Sequence, residues 1–452
     1  MNYNEFLQNK SIVDLPTGLT EIPELNSMMF DYQRDIVKWA LRRGRACIFA
    51  DCGMGKTLME LELGRCVPCD VILFAPLAVA KQTINEADKF GGYDIAYSND
   101  GTKKGKITIT NYEQMDKFNP DDFGCIIIDE SSILKSYTSK YRNEFTDKWA
   151  LKYRYACSAT PAPNDFMELG NHAEFVGAMK RTEMLSMFFV HDGGDTSKWR
   201  IKGHAERDFW RWVCSWAVMI SKPSDLGYDD GKFILPKLNV NQVTVEEDKP
   251  MDGFLFAMEA QTLQERQQAR RESLTERCSK ALEIINSKPD EQWLVWCDLN
   301  VESETLKKLI PDSVEVKGSD DNEHKVNSAV GFQQGTIKRL ISKPQIFGWG
   351  MNYQRCHNMI FVGLSDSYEL FYQAVRRSWR FGQTQEVNVY VVTAESEGAV
   401  VKNIQRKEMQ SEQMKKEMVA NMKDINSENI KGLQRSVTTY IPTENMKLPS
   451  FI

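Results

Sequence analysis

The feature that most constrains the fold is a repeated alternation of short apolar runs with longer helix-type segments. From residue 31 to about residue 160, the apolar runs are ACIFA, VILFAP, ITITN, CIIIDE and YRYACSAT. After about residue 290 the same rhythm returns in QWLVWC, VEVKG, RLIS, MIFVG and VNVYVV. Buried strands that alternate with helices are typical of a parallel sheet with helices on both faces. We therefore predict an α/β fold with two doubly wound parallel-sheet lobes.

The stretch between the two series departs from this rhythm. Residues 165–235 have a helical and aromatic pattern that is interrupted by HDGGD and GYDDGK, both typical of turns. We predict an N-terminal lobe over residues 1–245, with this helical insertion inside it, and a C-terminal lobe over residues 246–452. The charged, methionine-rich stretch that starts near residue 400 is predicted to form a helical tail within 400–452.

Composition narrows the class of protein without naming its function. The 452 residues are 42% apolar and 27% charged, which is typical of a soluble globular chain. The net charge of −6 provides no overall basic field, so a nucleic-acid partner would need a local basic groove. No apolar stretch approaches the roughly 20 residues that span a bilayer, and MNYNEFLQNK lacks a signal-peptide pattern. We therefore expect a cytoplasmic protein that does not bind membranes.

The stretch ADCGMGKT, at residues 50–57, lies between the run ACIFA and a helix-type segment. It matches the phosphate-binding pattern G-x-x-x-x-G-K-[ST], except that Ala50 replaces the first glycine. Backbone N–H groups at a helix N-terminus bind phosphate, and glycines let the ligand approach closely. We expect Lys56 to contact the β- and γ-phosphates of ATP and Thr57 to bind Mg²⁺. The predicted nucleotide-binding residues of this loop are Gly53, Met54, Gly55, Lys56 and Thr57.

Two further strand ends carry polar side chains that suit phosphate chemistry. CIIIDESS ends in Asp129, a candidate magnesium ligand, and Glu130, a candidate base that activates a water molecule. CSATPAPN places Ser158 and Thr160 after the next strand, where their hydroxyls are candidates for coupling the phosphate site to a moving part. Ordinary helix capping is the alternative role of these two hydroxyls.

The second half contributes QAVRRSWRFGQ, in which Arg377 and Arg380 are three residues apart and share a helix face. Arginine that comes from a second lobe stabilises the charge of a phosphoryl-transfer transition state. Two facing lobes would bring this pair to the γ-phosphate, whereas a single lobe would not. A solvated basic helix is the alternative interpretation.

These four pieces, in this order, resemble helicase superfamily two and, within it, the Swi/Snf-type ATPases. The resemblance extends from about residue 28 to residue 395 and implies two RecA-like lobes, with the helical insertion between motifs III and IV. DESSILKS stands where the family has D-E-A-H. The resemblance adds three residues: Gln33 in FDYQRDIVKWAL would bind adenine, Gly350 in GWGMN of motif V would also bind the nucleotide, and Gln373 opens motif VI as a coupling residue.

The resemblance also implies that nucleic acid lies across both lobes, opposite the ATP cleft. Contacts to phosphates would dominate, with little sequence preference. The candidate contact residues follow predicted strands or belong to the adjoining loops, and each is equally compatible with a solvated surface position: Lys81, Thr110, Asn111, Ser342 and Lys343.

Two segments outside these motifs have competing interpretations. Phe209, Val213, Trp216 and Ile220 recur at helical spacing, which predicts a core-facing surface rather than a base-stacking one. The helix that carries Arg270 and Arg277 alternates basic with acidic residues, which favours a solvated connector.

The function implied by the resemblance is that of an ATP- and Mg²⁺-dependent DNA translocase. It would work as a compact monomeric motor of the bacterial or phage kind, with DNA favoured over RNA and duplex DNA favoured among substrates. A strand-separating helicase on branched DNA or RNA is one alternative, although no pin hairpin is evident in the sequence. An ATP-dependent clamp and a small-molecule kinase are others. The complete set of catalytic residues disfavours the clamp, and a kinase would not need the second lobe's arginine pair.

Overall fold

Two parallel sheets, one in each lobe, organise the chain in the computed structural model. The structure describes residues 17–136, 138–192, 195–246, 268, 270–347 and 352–430. This arrangement confirms the predicted α/β fold with two doubly wound lobes. Among the helices in these ranges, none is both long and apolar enough to cross a membrane.

The first lobe contains seven parallel strands and a separate antiparallel hairpin. Its strands are β1 (Arg45–Ala50), β2 (Val71–Ala75), β3 (Ile95–Tyr97), β4 (Ile107–Asn111), β5 (Cys125–Asp129), β6 (Tyr153–Cys157), β7 (Phe189–Asp192), β8 (Asp195–Ile201) and β9 (Ala217–Ile220). The sheet order is β3-β4-β2-β5-β6-β1-β9, while β7 and β8 form the hairpin. Strands β2, β4, β5 and β6 are buried along their whole length because helices cover both faces.

In this lobe, a helix follows each strand that carries predicted phosphate-site residues, after a connecting loop. They are α1 (Asp31–Arg43), α2 (Lys56–Cys66), α3 (Leu77–Phe90), α4 (Lys140–Asp147), α5 (Leu169–Val176), α6 (Arg181–Phe188) and α7 (Glu206–Trp216). A short 3₁₀ turn, Ser131–Lys135, directly follows the carboxylate pair at the end of β5.

The second lobe has a six-stranded parallel sheet. Its strands are β10 (Leu238–Val245), β11 (Trp293–Trp296), β12 (Val314–Val316), β13 (Arg339–Ser342), β14 (Asn358–Phe361) and β15 (Val387–Ala394), in the order β10-β15-β14-β11-β13-β12. Its helices are α8 (Leu274–Asn286), α9 (Asn300–Leu309), α10 (Asn322–Gln334), α11 (Pro344–Phe347), α12 (Tyr368–Val375) and α13 (Gly398–Ile430).

The structure places the lobe boundary earlier than the sequence prediction did. Strand β10 pairs along its whole length with β15, from Leu238 opposite Val387 to Val245 opposite Ala394. The second lobe therefore begins by Leu238 rather than at residue 246. The insertion at 165–235 is also not purely helical, because it includes the hairpin β7–β8 and contributes β9 to the first sheet.

The two competing interpretations are now settled by burial. Phe209, Val213 and Trp216 are fully buried on α7, which confirms the core-facing surface for these three residues. Ile220 is also fully buried, but it belongs to strand β9 and not to the helix. The solvated-connector interpretation is wrong for Arg277, which is fully buried and donates to Glu302 at 2.7 Å. It is also wrong for Arg270, whose Nε lies 3.1 Å from Glu397. A buried arginine is tolerated only where carboxylates and hydrogen bonds compensate its lost hydration.

Helix α13 leaves the second lobe and packs on the first. Met414, Met418 and Met422 recur every fourth residue, so they share one helix face, and all three are buried in the core of the first lobe. The Cys214 thiol lies 3.5 Å from the Met418 carbonyl oxygen, across the same contact. Helix α13 occupies Gly398–Ile430 of the stretch predicted as a helical tail, and residues 431–452 lie outside the described residues.

Truncation of the central methionine tests how much this contact stabilises the protein. We expect Met418→Ala to lower the free energy of unfolding by about 2–5 kcal/mol, because it empties a filled site in the first lobe's core. Met409→Ala is the matched control, since Met409 lies on the same helix with 66% of its surface exposed. Urea unfolding followed by tryptophan fluorescence measures both variants. Equal losses in the two variants would contradict the docking of α13.

Candidate active site

The predicted phosphate-binding residues meet at one edge of the first sheet. Strand β1 pairs with β6, and β6 pairs with β5, all in parallel. The carboxyl ends of these strands therefore lie side by side. The loop after β1 carries Lys56, β5 ends at Asp129, and Ser158 follows β6.

The loop at 50–57 has the backbone geometry of a phosphate-binding turn. Gly53 and Gly55 have φ values of 91° and 77°, a region that side-chain-bearing residues rarely adopt. Gly55 caps α2, so the first backbone N–H groups of that helix open toward the loop. A Cβ atom on Gly55 would displace the Gln33 amide, and the positive φ would strain any side chain at this position.

Lys56 lies between the two carboxylates at the end of β5. Its Nζ is 3.1 Å from Asp129 Oδ1 and 3.0 Å from Glu130 Oε1. Burial lowers the pKa of Lys56, but the charges of Asp129 and Glu130 outweigh it and hold the pKa well above its usual value. The ammonium group is therefore charged, and the pair of carboxylates orients it.

Glu130 has a strained backbone. Its φ of 53° makes it the single non-glycine residue with positive φ in the part of the chain that the structure describes. Such a conformation costs roughly 1–3 kcal/mol and is concentrated at functional sites. Burial raises the pKa of Glu130 above its usual value, and the Asp129 carboxylate adds to this rise. A raised pKa suits a carboxylate that accepts a proton from water.

A carboxylate in the phosphate loop is held by the second lobe. Asp51 accepts hydrogen bonds from the Tyr372 hydroxyl and from the backbone N–H of Cys52, the latter at 2.6 Å. Arg376 lies 3.4 Å away and Lys415 3.9 Å away. Burial raises the pKa of Asp51, but these two cations outweigh it and keep the pKa below its usual value. The carboxylate is therefore ionised and compensated from the opposite lobe.

Sequence reasoning missed this junction, although one signal was present. Asp51 lies inside the recognised loop, and Arg376 directly precedes the predicted Arg377. The Arg376 guanidinium also donates to the Cys52 carbonyl oxygen at 2.5 Å. Lys415, on α13, had no signal because nothing in its local pattern relates it to the loop.

The predicted arginine pair lies in the turn that follows α12, not on one helix face, and its charge acts on the phosphate site. The charge of Arg377 acts on Glu130 and lowers its pKa, against the larger effect of burial. Arg380 donates to the Asn352 side chain. Burial and the neighbouring charge of Arg377 lower the pKa of Arg380 to about 10. Phe381, the next residue, lies 3.2 Å from where a Cβ atom on Gly53 would stand.

The predicted coupling residues are buried at the same edge or on the facing helix. Ser158 Oγ accepts from the Thr160 backbone N–H at 3.0 Å. Among the described residues, Thr160 Oγ1, both amide atoms of Gln373 and Glu130 Oε2 are buried without a hydrogen-bond partner. Buried polar atoms are normally paired, so these groups fit a polar ligand such as ATP with Mg²⁺.

The upstream glutamine contacts the loop directly. Gln33 Nε2 donates to the Met54 carbonyl oxygen at 2.9 Å, and Gln33 Oε1 accepts from the Phe30 backbone N–H at 2.9 Å. Its side chain therefore links α1 to the phosphate loop, and its contact with adenine stays a prediction. Gly350 lies outside the described residues.

The predicted nucleic-acid contacts differ in exposure. Lys81 is exposed on α3, and Lys343 is half-buried after β13. Thr110 is buried, Asn111 Oδ1 accepts from Tyr97 at 2.8 Å, and Ser342 donates to a backbone carbonyl oxygen at 2.9 Å. The role of all five residues in binding nucleic acid stays a prediction.

Comparison with known proteins gives one family match, over the first lobe, and a similarity to solved structures. Residues 26–162 match the family model described as the res subunit of type III restriction enzymes. No curated protein sequence matches the chain. Among solved structures, the SWI2/SNF2 ATPase core of Sulfolobus solfataricus in complex with dsDNA is similar, with 15% sequence identity and a TM-score of 0.41. That match covers 92% of this chain and 100% of the other.

The phosphate loop, the carboxylate pair and the family match are those of a helicase-like ATPase. The family match covers residues 26–162 and therefore describes the first lobe alone.

A buried histidine supports the turn after Glu130. His172 Nε2 lies 3.1 Å from Ser131 Oγ, and the histidine ring packs edge-on against Phe49. Burial lowers the pKa of His172 to about 4. The neutral imidazole is therefore the form that the folded protein holds.

This histidine should make the protein sensitive to mild acid. Its folded pKa lies below the ordinary value of about 6.5, so the unfolded state binds the proton more readily. Stability is then lost as the pH falls from 6.5 toward 4, by up to about 1.4 kcal/mol per pH unit. We expect His172→Gln to make this slope shallower in urea unfolding at stepped pH. The exposed His204→Gln is the control, and equal slopes for both variants would contradict the assignment.

Proposed function

We propose that the chain is a Swi/Snf-type, ATP-dependent DNA translocase that hydrolyses ATP between its lobes and moves along duplex DNA as a monomer. One observation carries the proposal: the arginine-bearing segment of the second lobe lies against the phosphate loop of the first. The contacts are Arg376 to the Cys52 carbonyl oxygen and to Asp51, and Tyr372 to Asp51. A site that is divided in this way links nucleotide turnover to lobe movement.

ATP would bind along the loop of residues 53–57, with Gln33 at the adenine and Lys56 at the phosphates. Entry of the phosphates exchanges the carboxylate partners of Lys56 for phosphate oxygens. Thr57 and Asp129 would hold Mg²⁺, which neutralises phosphate charge when bound. Release from Lys56 leaves Glu130 available to a water molecule.

Hydrolysis then uses groups from both lobes. Glu130 accepts a proton as the water oxygen bonds to the γ-phosphorus, and the bond to the bridging oxygen breaks to release ADP. Arg377 and Arg380 stabilise the charge of the transition state from the second lobe. Ser158, Thr160 and Gln373 couple the change from bound ATP to bound ADP to a change in the contact between the lobes. Gly350, in motif V, is a further candidate residue for binding the nucleotide.

DNA would lie across both lobes, with Lys81 and Lys343 as the cationic contacts and Thr110, Asn111 and Ser342 at neighbouring strand ends. Contacts to phosphates make this binding dependent on salt and largely independent of sequence.

Strand separation on branched DNA or RNA is the second candidate, and one observation favours it. The insertion contains the antiparallel hairpin β7–β8, which the sequence pattern did not suggest. On this hairpin the His191 and Trp199 rings have centroids 3.7 Å apart. An aromatic hairpin is suited to contact unpaired bases.

A substrate panel separates these functions. We expect steady-state phosphate release to rise at least about tenfold with duplex DNA, because DNA organises the two half-sites. Single-stranded DNA and RNA are the comparison substrates. Triplex displacement without unwinding of forked DNA supports translocation, whereas unwinding of forked substrates supports strand separation. Equal turnover with and without every nucleic acid would overturn the proposal.

The base assignment has its own test. Glu130→Gln removes the proton acceptor and keeps the side-chain volume, so we expect ATP binding to persist while turnover falls at least about 100-fold. Fluorescent-nucleotide binding and phosphate release measure the two steps. Glu144→Gln, a half-buried carboxylate on α4 in the same lobe, is the control. Retained turnover in Glu130→Gln would show that another group activates the water.

A further inference from the structure

A carboxylate of the second lobe binds the turn that follows Glu130. Glu369, on α12, accepts a hydrogen bond from the Ser132 hydroxyl and pairs with Lys135 Nζ at 2.6 Å. Only 4% of Glu369 is exposed. Ser132 belongs to the first lobe and Glu369, 237 residues later, belongs to the second. Their contact therefore exists only when the two lobes meet.

This turn carries the strained residue of the active site. Glu130 has left-handed backbone angles and begins the 3₁₀ turn Ser131–Lys135. Its carbonyl oxygen accepts from the Ile133 backbone N–H at 3.3 Å and lies 3.4 Å from Ser132 Oγ. A strained conformation persists only where the surroundings over-determine it. The contacts of this short turn therefore decide where the Glu130 carboxylate points.

The other restraints on the turn come from the first lobe. Asn171 Nδ2 donates to the carbonyl oxygens of Leu134 and Lys135, at 2.8 Å and 3.0 Å. His172 contacts Ser131 from the same helix, α5. These contacts do not depend on where the second lobe lies, whereas the contact with Glu369 does.

We propose that Glu369 is a positioning residue for ATP hydrolysis. It acts through Ser132 and holds Glu130 in its strained turn when the lobes are together, so that water activation requires lobe closure. The inference rests on the proposed role of Glu130 as the base. It gives the second lobe a role at the carboxylate pair, in addition to the arginines at the phosphates.

The competing explanation is that Glu369 only holds the two lobes together and does not position Glu130. In that case its ion pair with Lys135 would matter most. Lys135 has 39% of its side chain exposed, and exposed ion pairs contribute only about 0–1 kcal/mol. The hydrogen bond from Ser132 to the Glu369 side chain is buried and therefore shielded from water, which makes it the stronger of the two contacts.

A double-mutant cycle distinguishes the two roles. Ser132→Ala, Glu369→Ala and the double variant are compared in single-turnover hydrolysis with saturating ATP and duplex DNA. We expect each single change to slow hydrolysis about tenfold and the double change to slow it at most twofold further, because both remove one contact. Affinity for a fluorescent ATP analogue should stay within twofold of the wild-type value.

Two control variants complete the experiment. Lys135→Met removes the ion pair and leaves the Ser132 contact, so hydrolysis should stay within threefold of the wild-type rate. Glu369→Gln keeps an oxygen that accepts from Ser132, so it should recover most of the rate lost in Glu369→Ala. If the alanine variant fails to fold, Ser132→Ala removes the same contact and its unchanged hydrolysis would overturn the proposal.

Three results would overturn the proposal: unchanged hydrolysis in Glu369→Ala, multiplicative losses in the double variant, or a loss in Lys135→Met as large as in Glu369→Ala. Failure of the base assignment is recognised separately, because it would appear as retained turnover in Glu130→Gln.

Discussion

The burial of the Asp51 carboxylate beneath the second lobe is the constraint on which the rest of the structure depends. A buried charge costs several kcal/mol unless nearby groups compensate it. Tyr372 on α12, Arg376 directly after that helix and Lys415 on α13 provide that compensation. The phosphate loop that carries Asp51 is therefore stable in this form only when the lobes are in contact. Buried methionines of α13 strengthen the same contact over a larger apolar surface.

The strands that surround the active site could be predicted because their signals are local. Runs such as CIIID and VILFA are short, apolar and buried on both faces, which the sequence shows directly. Strands β3 and β9 were missed for separate reasons: β3 is a half-buried run of three residues, and β9 continues the apolar pattern of the helix that ends at Trp216. The lobe boundary was misplaced at β10, whose exposed, polar residues are typical of an edge strand rather than a central one. Its partner β15 lies far away in sequence.

The active site also contains residues with a local sequence signal and residues without one. Lys56, Asp129 and Glu130 were predicted because each stands in a short pattern beside a strand, and the structure places Lys56 Nζ 3.1 Å from Asp129 and 3.0 Å from Glu130. The partners of Asp51 and Ser132 could not be predicted, because they lie more than 200 residues away. Packing between lobes decides such contacts, and a single sequence holds no periodic signal of them.

The central claim is that the reaction centre is shared between the lobes, and Arg377→Ala tests it most directly. Single-turnover hydrolysis and nucleotide affinity are measured with saturating duplex DNA, with the exposed second-lobe variant Arg406→Ala as the control. The shared site predicts a loss of at least about 1,000-fold in hydrolysis, with ATP affinity within threefold of the wild-type value and Arg406→Ala unaffected. Hydrolysis by Arg377→Ala at the wild-type rate would contradict it.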